Sequence, residues 1–273
     1  MAATGVVGLA LLFVVLMTAI MAPAIAPYSP TKQDLDHVLA RPSRQHLLGT
    51  DDLGRDLLTR VMYGARVSVT AGFVSVGAAA LLGVPLGLAA GYYRGISDTI
   101  IMRTMDGLLA FPALVLAMAI TAALGPGIRN VIVAVAAVTC PAFARLARGQ
   151  VLLLRELEMV AAARAVGMGD ARILFRYMIP NMMSVLIIQG ALSVGQAILT
   201  EAGLSFLGLG IQPPTPAWGS MIEIGRRYLE QTPWMSLGPG IAILVTVLGF
   251  NFSADALRDA LDPRLLRTGG REA

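Results

Sequence analysis

Ser68–Tyr93 reads SVTAGFVSVGAAALLGVPLGLAAGYY, 26 residues without one charge. As a helix it extends roughly 39 Å, more than the roughly 30 Å of a bilayer's hydrocarbon core. Working outward, five further runs follow the same rule: Gly5–Ala26, Gly107–Ile128, Asn130–Ala144, Asn181–Thr200 and Gln231–Ala254. Asn130–Ala144 is short at 15 residues, so it borrows Ile128 and lets Arg145 and Arg148 snorkel. The expected fold is therefore all-α, a polytopic membrane protein of six transmembrane helices. Residues 1–66 hold the first helix and an external amphipathic segment, 67–258 the remaining membrane domain, and 259–273 a cytoplasmic tail.

Composition agrees and excludes much else. The 273 residues are 56% hydrophobic and 14% charged, against roughly 25% charged for a soluble domain. One of the 21 basic residues is lysine, Lys32, and no Gly-Lys pair exists, so a P-loop is ruled out. The single cysteine, Cys140, leaves the redox compartment unread. His37 and His46 stand in a polar stretch without a zinc-binding pattern and read as two solvated side chains. No metal site, catalytic residue or nucleic-acid patch is expected. Ala22–Ala26 resembles a signal-peptidase site, yet the run before it carries no basic flank and is long enough to span, so it reads as a retained helix.

Basic residues near helix ends set orientation. With the N-terminus inside, 12 of the 21 fall in the cytoplasm, and six of these crowd into Arg145–Arg176. Both termini are then cytoplasmic. That loop continues RGQVLLLRELEMVAAARAVGMGDARILFRYMIPN from Arg148 to Asn181. Glu156 to Val166 favours a helix, stopped by Gly167 and Gly169, with Asp170 placed to cap a second stretch, Ala171–Ile179, that ends against Pro180.

Ala162-Ala163, Gly167 and Ile179-Pro180 stand at the spacing of the "EAA" loop, and the chain resembles binding-protein-dependent ABC importer permeases. Three more stretches narrow the resemblance to the C-type permease of dipeptide, oligopeptide and nickel importers: His46–Val69, Glu201–Ile222 and Pro239–Leu265. The resemblance implies the type I permease fold of that class, with a short cytoplasmic coupling helix that docks on an ATPase. It assigns that docking to Glu158, Ala161, Ala162, Ala163, Arg164, Gly167 and Pro180. Ala161 departs from the pattern, standing where the family carries Glu. The implied partners are a homologous permease forming a heterodimer, two ATPase domains that hold the ATP and Mg this chain lacks, an extracytoplasmic substrate-binding protein and membrane lipid. The implied location is a bacterial inner membrane. A secondary transporter driven by an ion gradient is the alternative; it usually carries several charges at membrane depth, and here Glu201 alone is a candidate.

Other marked residues have two readings each. Glu201, beside Ser205, either faces a pathway or gate or sits at the interface meeting water. Leu48–Arg66 is either an amphipathic helix on the membrane surface or a contact for the binding protein. Gly83, Gly87 and Gly91 form a small-residue stripe for close helix packing. Arg103 and Asp106, three apart, suit a local pair, and Trp218 an interfacial aromatic.

Overall fold

A computed structural model describes residues 3–261. Helix α1 covers Ala3–Ile25 and α2 Leu57–Tyr93. A turn through Gly95, whose φ of +58° suits glycine, leads into α3, Gly95–Leu109, and then α4, Ala113–Leu124. Helix α5 is Ile128–Leu154, α6 Glu158–Ala165 and α7 the single turn Asp170–Ile173. A π-helical stretch, Leu174–Met178, joins α7 to α8, Ile179–Phe206, and α9 (Trp218–Gly225) and α10 (Trp234–Leu261) complete the chain.

Helices α1, α2, α5, α8 and α10 are each long and apolar enough to cross a membrane, and the bent pair α3–α4 makes a sixth where its two halves act as one span. That pair corrects the third expected span. Gly107–Leu109 closes α3, and the axis turns by 92° before α4 begins. Pro112 lacks the N–H that a continuous helix needs and biases Phe111 away from helical geometry. The fourth span is corrected in the opposite sense, to an unbroken helix of 27 residues that runs through Pro141. Its arginines do not end it, because Arg145 and Arg148 find carboxylates on α3.

The glycine stripe packs as its spacing implies. A Cβ on Gly83 would lie 2.6 Å from the Cys140 carbonyl oxygen, one on Gly87 would collide with that of Ala144, and one on Gly91 would reach 2.9 Å from Val151. Helices α2 and α5 therefore touch backbone to backbone, the densest seam of the bundle. Gly5 and Gly8 let α1 approach α10 in the same way, at Ala256 and Phe252. Gly5 beside Ala256 also puts both ends of the described chain at one end of the bundle, together with α6. We call this the α6 end; the opposite one, carrying residues 26–56, is the cap end.

Candidate functional site

At the α6 end, Val160 and Ala163 turn inward and are buried, while Glu158, Ala161, Ala162, Arg164 and Gly167 are exposed. The helix closes with a Schellman motif. Gly167 N–H donates to the Arg164 carbonyl at 2.9 Å and Met168 N–H to that of Ala163 at 3.0 Å, with Gly167 at φ +76°. Space is not the constraint, since a Cβ there meets nothing within 4 Å; handedness is. At the C-cap, Val166 is 78% exposed, an apolar side chain left largely bare by the described residues.

Tyr92, at the end of α2, holds this loop in place. Its hydroxyl donates to Asp170 at 2.7 Å, and the Arg164 guanidinium lies over its ring at 5.1 Å. Asp170 is therefore spent on a tertiary bond instead of capping α7. Pro180 also differs from expectation: it is exposed in the first turn of α8, where a missing N–H costs nothing, and the helix passes through it. Asp106 pairs with Arg145 at 2.6 Å, not with Arg103, and Asp98 takes a two-pronged bond from Arg148 at 2.6 and 2.7 Å.

The cap end is built from charge. Asp51 accepts from Arg55 at 2.6 Å and lies 3.3 Å from Arg60, with all three side chains 2–4% exposed. Asp56 caps α2 through the Thr59 N–H at 2.8 Å and pairs with His46 at 2.9 Å. His46 is thus buried, correcting its reading as solvated, while His37 is exposed beside Asp34. Only residues from Leu57 onward are helical, so the expected surface helix over 48–66 is a folded loop followed by the first turns of α2. Arg60 donates to the Pro30 carbonyl at 2.8 Å, tying residues 26–56 to α2. Trp218 is buried, not interfacial; its indole N–H donates to the Val61 carbonyl at 3.0 Å and its ring fills the space left by Gly64.

Glu201 and Ser205 are both buried within the chain. Glu201 is 1% exposed and accepts from the Ser205 hydroxyl at 2.8 Å, and that hydroxyl accepts the Ile211 N–H at 3.1 Å. The pair fastens the end of α8 to the turn that follows it.

What does open between the helices is a groove of about 380 Å³ on the flank of α4, α5, α8 and α10. Gln189, Ser193, Gln196 and Thr200 run along α8, joined by Thr139 of α5 and Asn251 of α10. The spacing of four, three and four places the α8 set on one face. That polar period inside an apolar span is a signal the sequence carries openly, at residues other than Glu201 and Ser205.

A family model described as "Binding-protein-dependent transport system inner membrane component" matches residues 83–267. A second, "N-terminal TM domain of oligopeptide transport permease C", matches residues 3–42. The chain is 45% identical over 260 residues to the dipeptide transport system permease protein DppC of Alkalihalophilus pseudofirmus, covering 95% of this chain and 86% of that protein. It is 46% identical over 257 residues to the glutathione transport system permease protein GsiD of Pectobacterium atrosepticum, covering 93% and 85%. Among solved structures, the inward-facing MetNI methionine ABC transporter matches with a TM-score of 0.59 at 17% identity, covering 76% of this chain and 96% of that one, a likeness of fold. The first model alone spans more than half of the sequence and includes the seam, α6 and the groove, so the chain belongs to the family of binding-protein-dependent transport system inner membrane components.

Proposed function

We propose that the chain is one permease subunit of an ATP-driven importer for peptides or related solutes. It pairs with a homologous permease, and the pathway runs between the two. Two ATPase domains on other polypeptides dock on α6 and hold the ATP and Mg; a substrate-binding protein delivers solute at the cap end. The α6 end faces the cytoplasm of a bacterial cell, because Arg155, Arg164, Arg172 and Arg176 gather there, and the bundle lies in the inner membrane.

The observation that carries this reading is α6 itself. A helix of eight residues stands outside the bundle with Val160 and Ala163 buried and Ala161, Ala162 and Val166 bare. Small residues on the bare face allow close approach of a partner. Ala161 offers no carboxylate, so docking rests on apolar and backbone contact. Movement of α6 passes to α2 through Tyr92, and from α2 to α5 along the glycine seam. Nucleotide then biases the bundle between inward- and outward-facing states. The secondary-transporter alternative finds no support here: Glu201, its candidate carboxyl, is enclosed away from the groove.

Affinity purification of the tagged chain from its native membrane tests the reading. A homologous permease and an ATPase in the eluate are expected; a chain that purifies alone and transports solute with ATP absent breaks it.

A further inference from the structure

The groove between α5, α8 and α10 is lined at membrane depth by Thr139, Gln189, Ser193, Gln196, Thr200 and Asn251. All three helices are apolar spans, and Gln189–Thr200 is the middle of α8. Polar side chains are costly against lipid, so this flank faces protein or water. No Asp, Glu, Lys, Arg or His lines it; Ala113, Val138, Ala142 and Leu192 complete the wall. Charged groups are left to its ends, as at Arg145 and Asp106.

The donor and acceptor inventory is specific. Each carboxamide offers two donors and one acceptor, the complement of a peptide bond. Gln189 gives one donor to Ser193 at 3.0 Å and Asn251 gives one to the Val247 carbonyl at 3.0 Å, which holds both side chains in place. Gln196 is exposed between them, its carboxamide left to the groove.

We infer that this stripe is the solute-contacting wall of the pathway and that it recognises the amide backbone of peptides without reading side-chain charge. The inference rests on the peptide-importer reading and deepens it. A neutral wall attracts neither acidic nor basic cargo, so one pathway passes both. Gln196 is its central residue.

The test uses the intact complex, with its partner permease, ATPases and binding protein, in proteoliposomes. Labelled Ala-Ala, Ala-Glu and Ala-Lys are supplied at concentrations that saturate the binding protein. The unaltered complex is expected to import all three within a few-fold of one another. Gln196→Glu should slow Ala-Glu relative to Ala-Lys by roughly tenfold, and Gln196→Lys should reverse the order, as a unit charge fixed in a low-dielectric site dictates. Gln196→Leu should slow all three alike. An unchanged ranking in both charged variants overturns the inference. So does loss of the partner permease from the purified variant complex, which would make the stripe an interface between subunits. Import of none of the three by the unaltered complex would instead overturn the peptide reading.

Discussion

The two ends of the bundle use the same residue types in opposite ways. At the cap end, Asp51, Arg55 and Arg60 are withdrawn from water and locked to one another and to loop carbonyls. At the α6 end, Arg145 and Asp106 meet at an equally short 2.6 Å but are each about half exposed. Distance alone therefore does not say what an ion pair contributes. Buried partners cannot be lost singly without stranding a charge, whereas solvated ones are replaced by water. The difference suits the two tasks proposed for them: a fixed platform for delivery of solute at one end, and at the other a contact able to move with its partner.

The comparison can be broken at four points. The largest effect is expected from Asp51→Ala, which removes the carboxylate that two buried guanidinium groups share, leaving Arg55 only Asp52 at 3.5 Å, and should lower the stability of the assembled complex by about 3–5 kcal/mol. Thermal unfolding in detergent measures it, and a shift no larger than that of an exposed pair would erase the contrast between the ends. Next comes Ala162→Arg on the bare face of α6. Uptake should be abolished while the amount of subunit in the membrane and its melting temperature are unchanged. Uptake at the unaltered rate would remove α6 from the coupling role.

Gly167→Ala is smaller. It forces a side chain into the left-handed region at a cost of roughly 1–2 kcal/mol, felt by the loop and not by the bundle. Partial uptake is expected, with recovery in Gly167→Asn, which tolerates that geometry; equal loss in both would point to space and not handedness. Arg145→Ala should matter least, by about 0–1 kcal/mol, since its pair is solvated. A melting shift as large as that of Asp51→Ala would mean that this pair is buried in the assembly by another chain.

How much was legible depended on how local the physics was. Five of the six apolar runs correspond to single membrane-length helices because bilayer thickness acts on each helix separately, and the third falls on the bent pair α3–α4. The stripe Gly83, Gly87, Gly91 announced a close seam, and Gly167 announced a helix stop, because each is a property of a few consecutive turns. The break at Pro112 was a local signal read too weakly, hidden inside an apolar run. Asp51-Asp52-Leu53-Gly54-Arg55-Asp56 read as part of an amphipathic surface helix, and nothing nearby in the chain shows that Met221 and Met235 come to lie beside Asp51. Glu201 was marked as costly with its partner Ser205 in view, but the enclosing contact from Ile211 was not in view. Tyr92 carried no signal at all; its bonds to Arg164 and Asp170 cross more than 70 residues of chain.

The sequence by itself determined that this chain lives in a membrane, carries five or six spans, holds no P-loop and offers a short helix between two of them. Hydropathy, helix propensity and glycine geometry act over a few residues and need no distant partner. Only the tertiary structure decided which charges are buried, which polar residues face one groove, and how α6 is tied to α2. Those outcomes turn on the solvent and the neighbours that each side chain meets, and helices far apart in the chain supply both.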